Sequence, residues 1–140
     1  MNNVKYYYRF KAIIIDDFNE KDIKKHNKEL NSFEDLADRF HKLRVAFDND
    51  SSEQVNIIVN AFPALYGAVS ELSVGSSVKR KLFSKEIKSK NFALMITKSS
   101  LDNIDVLGYE TNDFEEVKQI FYDFITKQAL PNLIKWKHLG

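Results

Sequence analysis

The chain contains no cysteine, and it has only four glycines and two prolines among its 140 residues. Without cysteine it can form no disulfide, no thiolate nucleophile and no cysteine-ligated zinc site. Four isolated glycines cannot build a glycine-rich phosphate-binding loop. No apolar run approaches the roughly 20 residues of a membrane helix, and the first residues lack the apolar core of a signal peptide. We therefore expect a cytoplasmic protein.

Charge of one sign is also scarce, because 21 lysines and arginines oppose 20 aspartates and glutamates, for a net charge of +1. The simplest kind of nucleic-acid or membrane-surface protein has a clear basic excess, which this chain lacks. Aromatic residues are abundant, with eleven Phe, six Tyr and one Trp. Many aromatics with few chain-breaking residues indicate a packed core, and the length is typical of one domain. We predict that residues 1–140 form a single domain.

The N-terminal half contains one clear strand signal and one clear helix signal. Residues 4–15 predict a strand, since aromatic and β-branched residues alternate with lysine and arginine. The polar residues 18–30 predict a loop. Ser32 can cap a helix whose apolar residues recur at three- and four-residue spacing from Phe33 to Phe47.

The segment 53–73 has two interpretations. Its apolar residues fit a helical stripe, and they are Val55, Ile58, Val59, Phe62, Tyr66, Val69 and Leu72. Pro63 interrupts the stripe, because proline disfavours the helical conformation in the residue before it. We favour a helix that is broken or kinked near Phe62, since the stripe continues across the proline. The alternative is a strand over 55–59 followed by a helix from Pro63.

The C-terminal half predicts helix, hairpin and helix. Residues 78–90 are basic and follow Ser76 and Ser77, two possible capping residues, which predicts a short helix with Val78, Leu82 and Phe83 as its apolar side. Residues 91–97 and 104–109 predict two strands joined by a turn. Asp113 and Glu116 have capping-box spacing at the start of a last helix. The predicted fold is α+β: a small antiparallel sheet, made of the N-terminal strand and the hairpin near 91–110, packed against three to four helices.

Charge is segregated along the sequence. Residues 76–98 contain seven cations and one acid, whereas residues 99–123 contain seven acids and one cation. The acidic block predicts a partner-binding patch formed by Asp102, Asp105, Glu110 and Glu115. The basic block predicts a nucleic-acid-binding patch formed by Lys79, Arg80, Lys81, Lys85 and Lys88. Alternatively, the two blocks neutralise each other as surface ion pairs, each worth about 0–1 kcal/mol.

Motifs for catalysis are weak. Asp16 and Asp17 follow the first predicted strand, where metal-dependent phosphoryl-transfer enzymes place ligands, but aspartate also ends strands as ordinary turn chemistry. Residues 86–88 have the sequence Glu-Ile-Lys, a pattern found in nucleases. They lie in a segment that is predicted to be a helix and not a sheet strand. The three histidines do not have the spacing of a metal-binding helix, and they are His26, His41 and His138. We predict no catalytic residue, no metal and no cofactor.

Three functional hypotheses follow. The first is a non-enzymatic binding protein, a stoichiometric inhibitor or accessory protein of another protein, similar in kind to immunity proteins and phage inhibitors of host defence. The second is a nucleic-acid-binding module that uses the basic segment 79–90. The third is a phosphoryl-transfer enzyme that uses Asp16 or Asp17. We expect no membrane partner, and the sequence leaves the oligomeric state open.

Overall fold

The computed structural model describes residues 10–15, 28–30, 33–50, 55–65, 68–83, 86–100 and 103–139. These residues form seven β-strands and two α-helices. In chain order they are β1 (Phe10–Ile15), β2 (Lys28–Leu30), α1 (Phe33–Asp48), β3 (Asn56–Leu65), β4 (Val69–Arg80), β5 (Ile87–Ser100), β6 (Asn103–Thr111), α2 (Phe114–Lys127) and β7 (Lys137–His138).

The strands form one antiparallel sheet in the order β2-β1-β3-β4-β5-β6-β7. The five long strands in its centre are flanked by β2, with three residues, and β7, with two. Strands β3 to β6 are neighbours both in the chain and in space, so they form a meander. The longest strands, β4 and β5, lie in the middle.

One face of the sheet is apolar because every second residue of the central strands is apolar. Ile57 lies opposite Val74, and Leu72 lies opposite Ile96. Further residues on this face are Val59, Leu94 and Leu107, and all of these side chains are buried. Full burial of each such side chain stabilises the fold by about 1.5–3 kcal/mol.

Both helices pack on this apolar face. The Phe92 ring of β5 stacks on Phe47 of α1 at 4.1 Å and lies 5.7 Å from Phe114 of α2, between ring centroids. The helices also contact each other, since Phe40 of α1 meets Phe121 of α2 edge to face at 5.5 Å. The sheet and the two helices therefore share one hydrophobic core.

The prediction of a small sheet packed against three to four helices is wrong. The described residues contain two helices and a sheet that includes most of the remaining chain. The error begins in segment 53–73, where β3 and the start of β4 replace the predicted helix. Residues 55–61 alternate between buried and half-buried, which is strand periodicity. Pro63 lies where the β3–β4 register shifts, so the proline breaks a ladder that is already irregular.

The second error is the predicted basic helix at 76–90. Residues 76–80 instead continue β4 without interruption, and residues 87–90 begin β5. Gly75 lies within β4, opposite Asn56. A Cβ atom at this position would contact the Asn56 side chain, so glycine lets the two strands pair closely.

Three other predictions are confirmed. Helix α1 covers the predicted apolar stripe, and β5 and β6 form the predicted hairpin. Helix α2 begins after Asp113, whose Oδ1 accepts a hydrogen bond from the Glu116 backbone N–H at 3.2 Å. The capping box is only half formed, because the Glu116 carboxylate accepts the Tyr109 hydroxyl instead. Of the predicted first strand, residues 10–15 are β1, and residues 4–9 lie outside the described part.

Neither helix of the described residues is long and apolar enough to cross a membrane.

Candidate functional site

The β4–β5 hairpin extends past the rest of the sheet. Strand β3 pairs with β4 as far as Gly75, and β6 pairs with β5 as far as Phe92. Ser76 pairs with Phe92, and beyond this pair residues 77–80 pair with residues 87–91 across the hairpin. Five extended residues span about 16 Å. We call the described residues 76–83 and 86–91 the arm, and its tip is residues 80–83 and 86–88.

The end of the arm presents two apolar side chains to solvent. Leu82 is 83% exposed and Phe83 is 100% exposed. The Phe83 backbone is left-handed, with φ of 60°, a conformation that is unusual for a bulky residue. The Lys81 backbone N–H donates to the Glu86 carbonyl at 2.9 Å and holds the two strands together below the turn. The turn therefore displays an aromatic ring that contributes nothing to the core.

Cations surround this apolar tip. Lys79, Arg80, Lys81 and Lys88 are all exposed, and Lys85 lies outside the described residues. Lys81 pairs with Glu86 at 3.1 Å, and Lys79 lies 3.8 Å from Glu110. All four of these paired side chains are about half exposed or more, so each pair is worth about 0–1 kcal/mol. The structure thus brings the described members of the predicted basic patch together on one projecting element.

The base of the arm is fixed to helix α1 by Lys90. Its Nζ donates to the Phe47 carbonyl at 3.0 Å and lies 2.9 Å from the Asp50 carboxylate. The same Nζ sits 4.7 Å from the centre of the Phe47 ring. A lysine at a helix C-terminus stabilises the last carbonyls. The arm is therefore held at its base, while its tip is free of the core.

No family model, curated protein or solved structure matches this chain significantly.

The residues of the predicted acidic patch do not lie together on one element, unlike the described residues of the basic patch. Asp105 and Glu110 are five positions apart on β6, so their side chains leave opposite faces, about 17 Å apart along the strand. Asp105 is 2.9 Å from His138 Nδ1, and Glu115 pairs with Lys118 in the first turns of α2 at 3.4 Å. Asp102 lies outside the described residues. Lys79–Glu110 and the register pair Lys98–Asp105 join the two charge blocks across the sheet.

Groups for catalysis or metal binding are not clustered in the described part of the chain. No set of three or more His, Asp or Glu side chains there could hold a metal ion. Asp16, Asp17 and His26 lie outside those residues, and His41 is exposed on α1. The tripeptide 86–88, a pattern that also occurs in nucleases, lies on the β5 side of the arm tip and not in a helix.

A cleft lies at the edge of β6. It encloses about 550 Å³ and is lined by Ala93, Met95, Gly108, Leu139 and the charged side chains Lys79, Glu110, Lys135 and Lys137. A smaller cleft of about 240 Å³ lies beside it, next to Tyr109 and Trp136. The Tyr109 hydroxyl donates to Glu116 at 3.0 Å, and burial together with this carboxylate raises the pKa of Tyr109. The rings of Tyr109 and Trp136 stack with their centroids 5.3 Å apart. The wall between the two clefts is therefore part of the packed structure.

Leu82 and Phe83 are exposed on the arm, and they do not form the apolar side of a helix as the sequence predicted. The signal that was available is that they stand alone as an apolar pair within a run of lysine, arginine and serine. In a helix each would have only one apolar neighbour three or four residues away, Val78 for Leu82 and Ile87 for Phe83.

Proposed function

We propose that this chain is a non-enzymatic binding protein that forms a stoichiometric complex with a macromolecular partner, as an inhibitor or accessory protein does. The observation that carries this proposal is the arm, whose tip presents Leu82 and Phe83, 83% and 100% exposed, on a ribbon that projects from a well-packed sheet. Surface aromatic side chains of this kind are typical binding anchors. The proposal places the protein in the cytoplasm, in keeping with its lack of cysteine.

The free protein gains nothing from this arrangement. Phe83 buries no surface, and its left-handed backbone costs about 1–2 kcal/mol for an L-residue. A glycine or asparagine would form the same turn at lower cost. An unfavourable conformation combined with an exposed aromatic ring supports a role in contact with another molecule.

The arm supports this proposal better than the acidic patch does. Binding anchors act when they are close enough to be covered by one partner surface. The arm tip meets that condition, whereas Asp105, Glu110 and Glu115 lie on two strand faces and a helix. Glu110 and Glu115 each already have a lysine partner, and Asp105 already lies 2.9 Å from His138 Nδ1.

The test is capture of the partner from a cell lysate by the tagged full chain, with two double variants beside the wild type. Leu82→Ser with Phe83→Asn removes the apolar tip. Ile104→Asn with Ile134→Asn removes two other apolar side chains, 68% and 84% exposed. We expect a stoichiometric species with the wild type and the Ile104/Ile134 control, and its loss with the tip variant. Equal capture by all three proteins would refute the arm as the contact element.

A further inference from the structure

We infer that the partner of the arm is a nucleic acid, with Phe83 stacking on a base and the surrounding cations binding the phosphates. This inference rests on the proposed function and names its partner. It depends on three features of the arm: its local charge, the residues that surround its apolar tip, and its shape.

The first feature is local charge. Residues 76–91 contain six cations, at positions 79, 80, 81, 85, 88 and 90, and one acid, Glu86, which is a net charge of +5. Since the whole chain has a net charge of +1, the other residues together have a net charge of −4. A polyanion is therefore attracted to the arm and repelled by the remainder of the molecule, and it approaches the arm first.

The second feature is the composition around the apolar tip. Anchors in protein–protein interfaces are surrounded by a region depleted of lysine. Here Phe83 and Leu82 are flanked on both strands by Lys81 and Lys88, which are exposed. Interfaces with nucleic acid are strongly cationic, and aromatic side chains there stack on bases beside the cations. The composition of the tip fits a nucleic acid better than a protein surface.

The ion pairs on the arm are weak enough for a phosphate to replace their carboxylates. Lys81–Glu86 and Lys79–Glu110 are exposed to solvent on both sides. A phosphate competes with such a carboxylate at little cost, because exposed pairs contribute little to stability. Lys90 is different, since it is committed to the Phe47 carbonyl and Asp50 at the base. The cations available to phosphate therefore lie toward the tip, around Phe83.

The third feature is shape. A two-stranded ribbon fits the major groove of a duplex, and apolar wedges also enter the minor groove between base steps. A ring on a projecting turn can also stack on the unpaired bases of a single strand. Both forms offer the same phosphate and base chemistry to the arm, so the test includes both.

The experiment is fluorescence anisotropy of a labelled single-stranded oligonucleotide, and of the duplex of the same sequence, with the full-length protein over a series of salt concentrations. The key variant is Phe83→Asn, because asparagine tolerates a left-handed backbone and the fold is kept. We expect its affinity to fall about tenfold, as for loss of one stacked base. Ile134→Asn, which removes another exposed apolar side chain, should leave affinity unchanged.

The cations are tested in the same assay. Lys88→Gln should weaken binding and lower the slope of log K against log salt by about 0.7 for the single strand, as expected for one lost phosphate contact. Lys127→Gln is the matched control, since Lys127 is exposed at the far end of α2, and its slope should equal that of the wild type. A thermal melt of each variant checks that it is folded.

The outcomes separate this inference from the proposed function. If neither oligonucleotide binds at low salt, or if Phe83→Asn binds as tightly as the wild type, the inference is overturned. The proposed function survives that result if a nuclease-resistant protein is still captured only by an intact tip. Sedimentation with anionic phospholipid vesicles, without oligonucleotide binding, would also overturn the inference. Capture that is lost after nuclease treatment, and that is also lost when Phe83 is replaced, would support both the inference and the proposed function.

Discussion

Replacing Lys90 with methionine should loosen the joint between the arm and helix α1. Methionine keeps most of the aliphatic stem, so the change removes the ammonium group with little loss of packing. Three contacts disappear with it: the hydrogen bond to the Phe47 carbonyl, the ion pair with Asp50, and the contact with the Phe47 ring.

The magnitude follows from these contacts. A hydrogen bond from a charged donor contributes about 1.5–3 kcal/mol, and the cation–π contact contributes about 0.5–1 kcal/mol. The ion pair adds about 0–1 kcal/mol, because its two side chains are 31% and 37% exposed. The three contacts share one ammonium group and do not add fully. We therefore expect Lys90→Met to lower the free energy of unfolding by about 2 kcal/mol, near the low end of their sum.

Urea denaturation followed by circular dichroism measures this change. Lys79→Met is the matched control, since Lys79 is on the same arm but has one distant, exposed partner, and it should cost less than about 0.5 kcal/mol. The cycle with Asp50→Asn isolates the ion pair, and asparagine also suits the left-handed backbone of residue 50. Equal losses for Lys90→Met and Lys79→Met would refute the reasoning that Lys90 anchors the arm.

Three further predictions concern stability. Asp113→Ala should cost about 1 kcal/mol in urea denaturation through loss of the α2 cap, and an unchanged midpoint would show that the cap is redundant. Phe40→Ala should cost about 3–5 kcal/mol, because Phe40 contacts α2 through Phe121; a loss below that of an ordinary surface change would contradict the shared core. Burial raises the pKa of Glu71 above its usual 4.5. The folded state therefore binds this proton more tightly than the unfolded state, so its contribution to stability is present below the unfolded pKa and is lost as pH rises through the folded pKa. Glu71→Gln should remove this loss of stability with rising pH and raise the urea midpoint at neutral pH. An identical dependence of stability on pH for both proteins would contradict this prediction.

The sequence predicted elements where local pattern and long-range packing agree. Helix α2 combines a capping aspartate with a continuous apolar stripe, and α1 has a similar stripe. In segment 53–73 both periods were present. Ile58 and Val59 fit a helix, whereas Ile57 and Val59 fit a strand, and the structure buries Ile57 and Val59. Pairing with β1 and β4 decides between the two, and the pairing with β1 joins residues far apart in the sequence, such as Phe10 and Ala61.

The arm could not be predicted from hydrophobic periodicity, because most of its side chains are at least partly exposed on both faces of the ribbon. Alternation appears only where one face is buried. The residues of the candidate acidic patch lie apart for a related reason. Residues that are close in the sequence, such as Asp105 and Glu110, leave opposite faces when they lie an odd number of positions apart on a strand. The described residues of the basic patch lie close together because the hairpin pairs its two strands side by side.

The meander has a consequence for the order in which the protein assembles. Strands β3 to β6 pair through successive hairpins, whereas β1 pairs with β3 across about fifty residues, as in Phe10 opposite Ala61. Closing the longer loop costs more chain entropy before any contact rewards it. The hairpins between residues 56 and 111 can therefore form as an early unit, onto which β1 is added late. The late strand should also open first in the native state, so its amide protons should exchange with solvent sooner than those of β4 and β5.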